Sequence, residues 1–219
     1  MNLKGKKIAF LGDSITERYC ASSIEYCFVE RIKRDKELAE AYNYGIGGTR
    51  IARNIEPSPE PAWDQNFISR VDAMEQDVDA VMVFGGTNDF GHGDLPFGEF
   101  GDETEDTFCG SCYVLMKMLV EKYPSVPVVV ATPLHRTGEY ELVNKFGKPR
   151  KPLCEYVEII RKTAARFSLP VLDLYASSGM QPCIDAQNKL YFVDGLHPNN
   201  LGHEKLANII SHFFETNLP

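Results

Sequence analysis

The sequence predicts an α/β protein with a parallel sheet covered by helices on both faces. Two observations predict it. Five short apolar runs have the length of buried strands, and each is followed by a turn and then by apolar residues recurring every three or four positions. At 219 residues, with 43% hydrophobic and 25% charged content, the chain fits a single domain over residues 1–219.

The elements follow in order. "KIAFLG" near residue 7 is a short apolar run after a polar start, the mark of a strand buried on both faces. "AYNYG" near 41, "DAVMVFGG" near 79, "VPVVVATP" near 126 and "LPVLDLY" near 169 supply four more strands. Helices are expected over roughly 23–38, 65–76, 106–122, 152–167 and 200–215. Long connections follow strands two to five. All leave carboxyl ends, so they gather on the rim where open α/β sheets hold ligands.

Composition narrows the function. A formal charge of −8 with scattered Lys and Arg argues against a nucleic-acid surface. The start "MNLKGKKIAFLG" reads as neither a signal peptide nor a membrane span, so a cytoplasmic protein without a membrane partner is expected. The six cysteines are expected to be reduced. Cys109 and Cys112 share C-x-x-C spacing, but no second pair completes a zinc set, and chance spacing is the simpler reading. "GEFGDETED" reads as a solvated acidic turn before a helix, and His203 and His212 as ordinary helix residues.

Chemistry concentrates in four rim blocks. In "FLGDSIT", Ser14 stands at the end of the first strand. In "VDGLHP", Asp194 and His197 are three residues apart, a spacing that can set a carboxylate beside Nδ1 of the imidazole and leave Nε2 free to take a proton. A serine hydroxyl needs such an oriented base to act as a nucleophile. Gly48 in "GIGG" offers a bare backbone N–H and Asn88 in "GTND" a side-chain amide, the donors an oxyanion requires. Each block alone has a plainer explanation as turn glycine, helix cap or solvated pair.

Taken together and in this order, "GDSI", "GIGG", "GTND" and "DGLHP" resemble the SGNH hydrolases, the GDSL esterase and lipase family, over residues 8–207. Ile15 stands where the family name has Leu. The resemblance implies a flavodoxin-like three-layer α/β/α sandwich with strand order 2-1-3-4-5. It also implies metal-free ester hydrolysis without a cofactor, with Ser14, His197 and Asp194 as triad and Ser14, Gly48 and Asn88 as oxyanion donors. The substrate is expected to be a small ester, with an acetylated carbohydrate preferred to a lipid. The reason is the polar set on the rim loops: Arg50, Arg53, Asn54, Trp63, His92, Asp94, His135, Arg136, Glu139 and Lys148. Among these, Arg50, Trp63, His135 and Arg136 are the candidates for substrate contact. Three rivals stay open on the residues alone: phosphoryl transfer through Asp13, a metal site from His92, Asp94 and His135, and a non-catalytic binding module.

Overall fold

The computed structural model describes residues 1–218. Strands β1 (Lys7–Gly12), β2 (Glu40–Gly45), β3 (Ala80–Phe84), β4 (Val128–Ala131) and β5 (Val171–Leu172) form one parallel sheet in the order β2-β1-β3-β4-β5. Around it run α1 (Ser14–Glu17), α2 (Phe28–Asp35), α3 (Phe67–Arg70), α4 (Thr87–His92), α5 (Phe108–Lys122), α6 (Leu153–Arg166), α7 (Leu174–Ser177), α8 (Asp185–Tyr191) and α9 (Asn200–Asn217). The flavodoxin-like order that the resemblance implies is the order observed.

Side chains alternate across a strand with period two, so a strand buried on both faces feeds two cores. Ile8, Phe10, Met82, Phe84 and Val129 enter the core under α2 and α9. Their neighbours Ala9, Leu11, Val81, Val83, Val128 and Val130 enter the core under α3, α5 and α6. This is why the strand sequences read as continuous apolar runs.

The two longest helices, α5 and α9, start on side-chain caps. Thr107 accepts the Gly110 N–H at 3.0 Å, and Asn199 accepts those of Leu201 and Gly202, each at 3.0 Å. Two expected helices are shorter than their apolar spacing suggests. The stretch 65–76 yields only α3 and a 3-10 turn over Val71–Ala73, because Arg70 turns inward. Its guanidinium donates to the carbonyls of Tyr44 and Gly12 and to Thr49 Oγ1, pinning the segment to the ends of β1 and β2. The stretch 23–38 opens as a 3-10 turn over Ile24–Tyr26, and extended backbone at Cys27 separates it from α2. Helices α1, α4, α7 and α8 are only four to seven residues long, too short to show an apolar period.

Candidate active site

The nucleophile position is built by the turn out of β1. A Cβ on Gly12 would lie 2.0 Å from Thr16 Oγ1, so only glycine lets α1 fold back on the strand end. Asp13 caps that helix, its Oδ1 accepting the Ile15 N–H at 3.0 Å. Ser14 is the first helical residue, and its N–H therefore has no acceptor within the helix. Burial, reinforced by the charge of Asp89, pushes the Asp13 carboxyl up to about 7. Buried and engaged with the Ile15 N–H, Asp13 is a structural cap and a poor phosphoryl acceptor.

Asp194 and His197 come from the loop between α8 and α9. A bridge between Phe192 and Pro198 and the Val193 N–H to His197 carbonyl bond of 3.0 Å close this loop tightly. Asp194 Oδ1 accepts the backbone N–H of His197 at 2.8 Å, while Oδ2 meets the ring Nδ1 at 2.7 Å. Nε2 then faces Ser14 Oγ at 3.0 Å. Burial raises the Asp194 pKa, but the bonds from His197 outweigh it and hold the carboxylate below its ordinary value. Asp194 is thus an anion beside Nδ1, which places the Nδ1 proton toward it and leaves Nε2 as the acceptor toward serine. The Tyr19 ring packs on His197 at a centroid distance of 4.5 Å.

Opposite the serine stand Gly48 and Asn88. Gly48 has φ +74°, and its N–H makes no hydrogen bond among the described residues. A Cβ there would sit 2.1 Å from Trp63 Cδ1, so glycine is required by both backbone and indole. Asn88, in the first turn of α4, donates one amide hydrogen from Nδ2 to the Thr49 carbonyl at 2.9 Å. That bond fixes the amide with its second hydrogen free.

A groove of about 730 Å³ opens over these groups, and both Trp63 and Arg136 line it. Two other expected contacts do not. Arg50 is fully buried, bonding His92 Nδ1 at 2.9 Å, Ser58 Oγ at 3.1 Å, the Trp63 carbonyl at 3.2 Å and Asp64 at 3.0 Å. It braces the loop that carries Trp63. His135 is drawn away from the groove by Glu139, 2.9 Å from its Nδ1, and by the Tyr175 ring at 3.8 Å. The suggested His92, Asp94 and His135 set does not assemble either: Asp94 accepts the N–H groups of Ile55 and Glu56, while His92 and His135 face these other partners. Cys109 and Cys112 are buried in α5, and burial pushes both thiols up, Cys109 to about 11. Neither has the lowered pKa of a reactive thiol.

Several wall residues escaped sequence reasoning. Tyr19, Glu17 and Lys145 line the groove from loops or one-turn elements that carry no periodic signal. His92 lies one helical turn after Asn88. Burial, then the charges of Arg50, Lys145 and Arg136, push it down to about 3, so it stays neutral. Since Nδ1 accepts from Arg50, its proton is on Nε2. His203 is a core residue rather than an ordinary helical one: Nδ1 accepts the Phe28 N–H and Nε2 donates to the Tyr19 carbonyl, each at 3.4 Å. It supports the segment that holds Tyr19 against His197.

Comparison with known proteins agrees with this fold. The model of the GDSL-like lipase/acylhydrolase family matches residues 10–205. A protein from Lactobacillus plantarum is similar over 99% of both chains, with 30% identity and a TM-score of 0.83. A lipase/acylhydrolase from Enterococcus faecalis shares the fold at 23% identity and TM-score 0.68, over 98% of this chain and 97% of that one. A two-domain esterase active on acetylated mannans shares it at 20% identity and TM-score 0.64, over 96% of this chain and 48% of the other. No curated protein matches the chain.

Proposed function

The chain belongs to the GDSL-like lipase/acylhydrolase family, whose members hydrolyse esters, and from that premise we propose a serine esterase that works through an acyl-enzyme. The observation that carries the proposal is the unbroken relay from Ser14 Oγ through His197 to Asp194, at 3.0 and 2.7 Å. Ser14 Oγ attacks the ester carbonyl as its proton passes to His197 Nε2. Asp194 holds the ring and stabilises the imidazolium. The oxyanion collects the N–H groups of Ser14 and Gly48 and the free amide hydrogen of Asn88. His197 then protonates the leaving alcohol, and the same nitrogen activates the water that releases the acid.

The preferred substrates are short acyl esters, foremost acetyl groups on a carbohydrate or another small hydroxylated molecule. Trp63 and Tyr19 give the groove aromatic faces beside polar ones, a wall that suits a sugar. The acetylated-mannan esterase among the structural neighbours adds a precedent on this fold. A second reading, a lipid esterase, has its own support: Tyr140, Leu142, Val143 and Phe146 are exposed on the segment beside the groove. No helix among the described residues is long and apolar enough to cross a membrane, and a cytoplasmic location remains our proposal.

The test has two parts. An activated organophosphonate should label Ser14 and no other residue, and labelling elsewhere defeats the serine assignment. Across 4-nitrophenyl esters from acetate to palmitate, kcat/KM should peak at short chains. A rise continuing past octanoate, with interfacial activation, selects the lipid reading.

A further inference from the structure

We propose that the groove contains an anion subsite formed by Arg136 and Lys145, so that the preferred ester carries a carboxylate or phosphate close to the scissile bond. The inference rests on the esterase reading above and names its substrate class. Against a formal charge of −8, the chain as a whole repels anions, which makes unpaired cations at one place notable.

Arg136 is such a cation. Its Nη1 donates to the carbonyl and Oγ1 of Thr87, at 3.0 and 3.1 Å. Its Nε is buried without a partner, and its Nη2 makes no hydrogen bond among the described residues. Burial and the neighbouring Arg150 pull its pKa down to about 10. A mostly buried guanidinium with unused donors is costly until an anion completes it. Lys145 is the second. Its Nζ lies 4.3 Å from the Trp63 ring centroid and forms no ion pair among the described residues. Although the residue is exposed, partial desolvation, then the charges of Arg136 and Arg50, lower its pKa.

Most carboxylates near these two are engaged elsewhere, and Glu60, also on the groove wall, is exposed to solvent and forms no ion pair among the described residues. Glu141 pairs with Arg150 at 3.1 Å, Asp64 with Arg50 at 3.0 Å and Glu139 with His135 at 2.9 Å. Glu17 holds the Gly47 N–H at 2.9 Å. The two cations also flank the reacting centre. Arg136 is tied to Thr87, the residue before Asn88, while Lys145 rides on the indole that packs against Gly48. Each therefore stands behind one oxyanion donor, in reach of a charged group on the acyl or the alcohol part.

Two independent readouts test this. The first compares kcat/KM for mono-4-nitrophenyl glutarate with 4-nitrophenyl pentanoate, and for 4-acetoxybenzoate with its methyl ester. These pairs place the charge on the acyl or the alcohol side. The anionic ester of at least one pair should win by about tenfold or more, the scale of a charge-assisted bond, and Arg136→Gln or Lys145→Gln should pull that ratio toward one. The second readout needs no turnover. Trp63 is the single tryptophan, so its fluorescence reports directly on the lysine stacked over it. Glutarate and inorganic phosphate, titrated separately at low salt, should give a saturable change with at least one of them in the wild type and a much weaker one in both variants. Circular dichroism establishes that the variants are folded, and exposed Lys145 gives the safer one. Absence of any anionic preference together with a flat titration overturns the subsite, as does a response unchanged in both variants. If no ester is turned over but the titration saturates, the esterase reading fails while the subsite stands.

Discussion

The two sides of the groove are built differently. On the serine side, Ser14 follows β1 directly, and Asp194 and His197 share one tight loop whose backbone N–H groups bond the Asp194 carboxylate. On the opposite wall, Trp63 and Lys145 arrive from long connections and His92 from the end of α4; the buried Arg50 holds Trp63 and His92, and Lys145 stacks on the indole. Positions set by the backbone are tied to four-residue motifs. Those set by side chains depend on partners outside the local motif, from Ser58, eight residues from Arg50, to His92, 42 residues on. The first arrangement suits chemistry that tolerates little displacement, the second a wall that varies with substrate.

The largest expected effect lies on the serine side. Ser14→Ala removes the nucleophile and should lower kcat by about 10⁴-fold or more, with an unchanged melting temperature because the side chain is small and sits at the strand end. Steady-state kinetics beside a thermal melt checks it, and appreciable activity in the variant defeats the mechanism. Asn88→Ala comes next, at the junction of the two sides. Loss of about 10²- to 10³-fold in kcat with little change in KM is expected if its free amide hydrogen serves the oxyanion. A change confined to KM would make Asn88 part of the binding wall instead.

The same contrast explains what was legible in the sequence. Parallel strands buried on both faces, as β1, β3 and β4 are, announce themselves as apolar runs, while the edge strand β2 keeps an exposed Asn43. Ser14, Gly48, Asn88, Asp194 and His197 each sit in a short block at a strand or loop end, where spacing carries geometric information. Arg50 looked like a substrate contact because charged loop residues are normally exposed. Only the fold reveals that His92, Ser58, Asp64 and the Trp63 carbonyl close around it. His135 misled for the same reason, its partner Glu139 being visible four residues on but its stacking on Tyr175 not. The helix expected over 65–76 was cut short by Arg70 reaching carbonyls more than twenty residues away, which no local period encodes.

Arg50→Met should break the wall and spare the serine side. It leaves His92 Nδ1 and the Trp63 carbonyl short of a donor, while Asp64, partly exposed and held by Ser58, keeps other partners. A destabilisation of about 1 to 3 kcal/mol is expected from urea unfolding. In the protein that remains folded, KM should rise more than kcat falls, and Trp63 emission should move to the red as the indole is released. A larger loss in kcat than in KM would show that Arg50 reaches the reacting groups after all.

The smallest effect separates two buried carboxylates, one on each side. Asp13 accepts one backbone N–H, from Ile15, whereas Asp89 accepts two, from Ile51 and Ala52 at 3.0 and 2.9 Å. Burial raises both, but the extra bond to the charged form leaves Asp89 at about 6 against about 7 for Asp13. A carboxyl with a higher pKa folded than unfolded binds more protons in the folded state. Its contribution to stability is therefore full below about pH 4, the unfolded value, and is lost as pH rises through the folded one. Asp13→Asn keeps an acceptor for Ile15 and removes the titration. Relative to the wild type, it should be near neutral at pH 4 and more stable at pH 8, by on the order of 2 to 4 kcal/mol. Asp89→Asn should gain less at pH 8, because its anion is better solvated by backbone. Urea unfolding of both variants from pH 4 to 8 measures the difference, and an equal or larger gain for Asp89→Asn would overturn the account of one bond against two.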